Sequence, residues 1–120
     1  MTLDQLRAVL LSYPEAVEEE PFGPDALVFK VGGKIFAITG DGSDESPARV
    51  SLKCEPGLAL ELRATFPGVQ PGYHLNKRHW NTVTLDGSVP RDEVLDMIGH
   101  SYERVVAGLP KADRERLTGS

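Results

Sequence analysis

The chain of 120 residues carries a single cysteine, Cys54. No internal disulfide can form, and a reducing, cytoplasmic setting is the default expectation. No apolar run approaches the roughly 18 residues that a membrane-spanning helix needs. The opening Met1-Thr2-Leu3-Asp4-Gln5 lacks the basic and apolar regions of a secretory leader. There is no repeat at a fixed period and no low-complexity tract. No glycine-rich loop runs into Lys-Ser/Thr to cradle phosphates, and no nucleophile elbow is present. Positive charge is also scarce, with 13 Lys and Arg against 18 Asp and Glu, a net charge of -5 and a pI near 5.1. That balance argues against a generic polyanion binder but leaves room for a local basic face.

Apolar residues make up 40% of the chain, enough for a core, and the length suits one domain over 1–120. Thr2, with Gln5 three residues on, reads as the capping box of a first helix over 2–13. Leu3, Leu6 and Leu10 form its apolar stripe, and Pro14 stops it. Glu15-Ala16-Val17-Glu18-Glu19-Glu20 reads as a solvated acidic connector, with a hard-cation site as the sharper alternative. Pro21-Phe22-Gly23-Pro24 is turn chemistry. Two β-type runs, 26–31 and 34–39, flank Gly32-Gly33, a tight-hairpin signal because primed turns need positive φ. Residues 40–47 have loop composition and hold Asp41, Asp44 and Glu45.

Strict alternation over 49–53 predicts a strand with Val50 and Leu52 inward and Arg49, Ser51 and Lys53 on the other side. A second helix is predicted near 55–66, opened by Pro56, with Leu58, Leu62 and Phe66 as its stripe. Cys54, just ahead of it, reads as a buried structural cysteine. Residues 81–85 alternate with Val83 and Leu85 inward. A long helix follows to about 109, with His100 out of register with its apolar stripe. Residues 112–117 form a last short helix or a frayed tail. The fold class is therefore α+β, an antiparallel sheet with helices packed on one face, in the order α-β-β-β-α-β-α. Arg49, Lys53, Thr82 and Thr84 would show on the opposite face.

Chemistry concentrates in 71–83. The stretch Tyr73-His74-Leu75-Asn76-Lys77-Arg78-His79-Trp80-Asn81 holds the only tryptophan, and no acid lies between Glu61 and Asp86. Lys77 and Arg78 can contact phosphates. Asn76 and Asn81 can hydrogen-bond phosphates or base edges, and Trp80 or Tyr73 can stack on an unpaired base. A structural role is the competing reading, with Trp80 packed on the last helix and His74 and His79 bonded within their own loop. A pocket for a small anion or a protein partner around Trp80 is a third. His74 and His79, five apart, match no zinc-binding spacing, so neither a metal nor another cofactor is expected. No catalytic constellation is legible.

Several runs together resemble the MmcQ/YjbR family of small bacterial proteins. They are 29–37 (FKVGGKIFA), 51–56 (SLKCEP), 71–83 (PGYHLNKRHWNTV), Leu85-Asp86-Gly87, 101–106 (SYERVV) and Leu109-Pro110-Lys111. The resemblance covers nearly the whole chain in order. It implies a fold related to the CyaY/frataxin-like α+β sandwich in a double-wing arrangement, and it implies DNA as a partner. Lys53, His74, Asn76, Lys77, His79, Trp80 and Asn81 match the family's motif positions. The candidate binding residues are these seven with Tyr73 and Arg78, in a protein expected to be a cytoplasmic monomer.

Overall fold

The computed structural model describes residues 1–21, 26–41 and 47–119. The turn expected at 21–24 and the acidic loop expected over 40–47 lie largely outside them. Helix α1 (Leu3–Leu11) begins with the expected capping box. Gln5 N donates to Thr2 Oγ1 at 3.1 Å, and Thr2 N donates to Gln5 Oε1 at 2.9 Å. There follow β1 (Val17–Glu19), β2 (Ala26–Val31), β3 (Lys34–Asp41) and β4 (Ala48–Lys53), then α2 (Pro56–Thr65), β5 (Val69–Pro71), β6 (Trp80–Thr84), α3 (Arg91–Ala107) and α4 (Lys111–Thr118). The six strands form one antiparallel sheet in the order β1-β2-β3-β4-β6-β5. The fold is α+β, as the sequence predicts. Two three-residue strands, β1 and β5, extend the anticipated sheet at its edges, and 111–118 is a helix.

The β2–β3 hairpin turns on Gly32 and Gly33, whose φ angles of 56° and 79° are the left-handed values a primed turn requires. The pairing shifts register after Phe29, from Phe29 opposite Ala37 to Lys30 opposite Ile35. The extra residue on β3 is Phe36, and both it and Ala37 are fully buried. One sheet face carries Phe29, Ala37, Val50, Leu52 and Val83. It packs against Leu6 and Leu10 of α1 and against Val94, Ile98, Tyr102 and Val105 of α3. Tyr13, Phe36 and Tyr102 meet at ring-centroid distances of 4.8–6.2 Å.

The segment 15–20 is solvated as expected, with Glu15, Val17, Glu19 and Glu20 exposed, but it is more than a connector. Val17–Glu19 pairs with β2, and its acids find separate cations. Glu18 meets Arg7 at 2.8 Å, Glu19 meets Lys30 at 2.7 Å and Glu15 meets Arg116 at 2.7 Å. The carboxylates are thus drawn apart. Among the described residues no group of three or more His, Cys, Asp or Glu side chains is placed to hold a metal ion. No described helix is long and apolar enough to cross a membrane.

Ser101 ties α3 to the sheet. Its fully buried hydroxyl donates to Phe36 O at 2.6 Å and accepts from Lys53 N at 2.8 Å. It bridges β3 and β4 just beyond their last paired residues, Ala37 and Leu52, so two backbone groups that the ladder would leave without partners are satisfied.

Candidate functional site

The loop between β5 and β6 leaves the sheet at Pro71 and returns at Trp80. Gly72 makes that path possible. It donates from its backbone N to Trp80 O at 2.9 Å, and a Cβ there would come within 2.7 Å of Trp80 Cβ. Only glycine fits so close an approach. His74 takes φ 57°, the left-handed region, and reverses the chain. Asn76 Oδ1 then accepts from Arg78 N at 3.0 Å, closing an Asx turn. His79 N donates to Asn76 O, and His79 O accepts from Cys54 N at 2.8 Å. The loop is thereby pinned to the end of β4.

Tyr73, His74, Asn76, Lys77 and Arg78 are exposed, whereas His79 and Trp80 are half-buried. Tyr73 is 62% exposed, unusual for a large aromatic side chain. Its ring lies 4.0 Å from the His74 ring between centroids, and the Arg49 guanidinium carbon sits 5.7 Å from its centroid, within cation–π range. Lys77 Nζ donates to Gly72 O at 3.3 Å. Strand register puts Lys53 opposite Trp80, Ser51 opposite Thr82 and Arg49 opposite Thr84, on the face away from the helices. Ser51 and Thr82 share a 2.8 Å hydroxyl–hydroxyl hydrogen bond, and Thr82 Oγ1 also accepts from Tyr73 N at 3.0 Å. Tyr73, Lys53 and Trp80 therefore belong to one side of the molecule. The same register turns Trp80 away from α3, against the packing alternative.

Asn81 does not join them. It shares parity with Val83, is 2% exposed, and lies on the helix-covered face. Arg63 of α2 donates from Nε to Asn81 Oδ1 at 2.7 Å, and Asn81 Nδ2 donates to Ala59 O at 3.4 Å. The other end of the Arg63 guanidinium donates to Lys77 O and Trp80 O. Asn81 and Arg63 thus hold the loop from beneath. Arg63 was not singled out in the sequence. The alternation that turns Val83 inward turns Asn81 inward too, and that parity was the available signal for Asn81.

Behind Asn81, on the helix side of the sheet, α2 and α3 diverge around a cavity of about 240 Å³. Its lining includes Leu52, Leu58, Leu62, Val83 and Met97, with Glu93, Asp96 and His100 among the polar groups. It is bordered by Asn81 and not by Trp80. His100 is half-buried, and its Nε2 accepts from Glu55 N at 3.1 Å. Cys54, also on the wall, is 4% exposed. Burial and then the neighbouring Glu55 raise its thiol pKa, with Arg104 and Arg63 partly offsetting them. The thiolate is disfavoured, as befits a structural cysteine.

Comparison with known proteins finds that the model of the YjbR family matches residues 11–104. The uncharacterized protein YjbR of Escherichia coli K12 is 37% identical over 117 residues, 98% of each chain. The uncharacterized protein YyaQ of Bacillus subtilis is 34% identical over 76 residues, 63% of this chain and 61% of its own. A Deinococcus radiodurans protein with a DUF419 domain superposes with a TM-score of 0.88 at 43% identity, covering 98% of this chain and 88% of that one. A Pseudomonas syringae crystal structure superposes with a TM-score of 0.76 at 27% identity, over 88% and 99% of the respective chains.

Proposed function

This chain belongs to the YjbR family, and on that premise we propose that it binds nucleic acid, preferentially single-stranded, through the 72–79 loop and the sheet face beside it. The observation that carries this reading is Tyr73. It is a largely exposed ring braced by His74 and Arg49, in a stretch of chain without a single acid. A hydrophobic ring held in solvent costs free energy unless something covers it. A base does so with little demand for sequence, because every base has a π-face. Arg78, exposed and without an ion pair among the described residues, and Lys77 beside it supply phosphate contacts. Lys53 extends the cationic side along β4. The small number of cations implies modest affinity with a shallow salt dependence.

The mechanism follows from how the loop is held. Arg63, Asn81 and Gly72 fix the backbone of the loop before any ligand arrives, so little ordering entropy is lost on binding. Asn81 contributes by this support and touches no ligand. The test is anisotropy of labelled single- and double-stranded DNA of equal length at two salt concentrations. The wild type is expected to prefer the single strand and to weaken with salt. Tyr73→Ala should lose about 1–3 kcal/mol of single-strand affinity, the range measured for stacked aromatics. Arg78→Ala should lower the salt slope by about 0.7, one phosphate contact on a single strand. Equal, salt-independent anisotropy for wild type and both variants would refute the reading.

A further inference from the structure

The cavity between α2 and α3 lies on the opposite side of the sheet from the loop, and the proposed nucleic-acid binding makes no use of it. Its existence follows from how α2 sits. Ala59 is the one residue of that helix that is buried, and Leu58 and Leu62, which the sequence pattern assigns to the core, are only half-buried. The helix stands off the sheet, and two leucines face an opening instead of a packed layer. At about 240 Å³ the space exceeds the ~150 Å³ apolar cavity that is known to admit benzene. It has room for one ring and a short tail.

The charges around it decide what kind of tail. Asp96 is exposed and Glu93 half-buried, so both stand at the mouth, and neither is ion-paired among the described residues. His100 at the mouth accepts a hydrogen bond from Glu55 N through Nε2. Lys53 reaches the lining from the strand end, but its register partner Trp80 puts its side chain on the far face. Arg63 bonds Asn81 and, with Arg104, acts electrostatically on Cys54, and both Asn81 and Cys54 belong to the wall. A cationic head is therefore drawn to Glu93 and Asp96 and repelled from the Cys54–Asn81 wall, while an apolar body fits the leucines, Val83 and Met97. The three mouth residues do not converge as metal ligands.

We propose that this cavity binds a small amphipathic organic cation, an alkyl- or arylalkylamine, apolar end inward and ammonium between Glu93 and Asp96. Successive residues of β6 would then serve two sites on opposite faces, Trp80 beside one and Asn81 beside the other. Met97 gives a direct readout, since the chain's two methionines are Met1 and Met97. With methionine methyls labelled with carbon-13, the protein is titrated with phenethylamine, 2-phenylethanol and 3-phenylpropanoate, which share one ring and differ in charge. The expected result is a saturable shift of the Met97 methyl with the amine. The alcohol should bind about five-fold more weakly, as for a single partly exposed charge contact, and the carboxylate more weakly still. The double variant Glu93→Gln/Asp96→Asn, altered only at the mouth, should bring the amine to the level of the alcohol and leave the alcohol unchanged. No Met97 shift with any probe, or equal binding of amine and alcohol by the wild type, would overturn the proposal.

Discussion

Asn81 shows how a residue that looks like a ligand contact can belong to the scaffold. It sits in the most polar stretch of the chain, yet it is 2% exposed with its amide shared between Arg63 and Ala59 O. Removing it leaves the Arg63 Nε–H without its partner in a partly dry environment, and such an orphaned donor costs more than the bond itself contributes. Asn81→Ala is expected to lose about 1–3 kcal/mol of stability in denaturant unfolding. The proposed nucleic-acid affinity should fall less than in Tyr73→Ala, because Tyr73, Lys77 and Arg78 remain. Tyr73, Lys77 and Arg78, by contrast, are exposed as an acid-free polar stretch predicts, because local composition alone sets them apart. Arg63 was illegible, since its partners lie 14 to 18 residues away and no local pattern encodes that pairing.

Elements were legible where the local pattern and the tertiary environment agree. Gly32-Gly33 set the hairpin, alternation gave β4, and Thr2 with Gln5 gave the start of α1. The short edge strands escaped notice for physical reasons. Val17–Glu19 reads as an acidic run until Arg7 and Lys30 neutralise it from other elements. Val69–Pro71 is three residues ending in proline, tolerable only on an edge strand. Two predictions belong at this scale. Gly72→Ala drives a Cβ to within 2.7 Å of Trp80 Cβ and 3.1 Å of Trp80 O. The loop must shift, with lower thermal stability and weakened single-strand binding, both measurable on the same sample. Glu55 caps α2 by accepting from Gly57 N and Leu58 N, each at 2.8 Å. Those two bonds are the main reason its pKa is lowered from 4.5. A lowered folded-state value stabilises the fold at pH above 4.5, and that contribution disappears as the pH falls through the folded-state value. Glu55→Gln is therefore expected to be less stable than the wild type near neutrality, with the gap closing in acid when unfolding is followed against pH.

At the scale of the whole molecule, one antiparallel sheet separates two chemistries. Helices cover one face, bury the core and leave a cavity where α2 stands away. The other face carries Arg49, Lys53 and Tyr73. In a chain of net charge -5, the acid-free interval 62–85 is the part best suited to meet a polyanion, and the proposed binding is placed there. Amide chemical-shift mapping with a short single-stranded oligonucleotide tests this most directly. The account predicts perturbations confined to residues 72–80 and the adjoining β4 positions Arg49 and Lys53, fading as salt is raised, with the amides of Leu58, Leu62 and Met97 unmoved. Shifts centred on the α2–α3 cavity, or none at all at low salt, would contradict it.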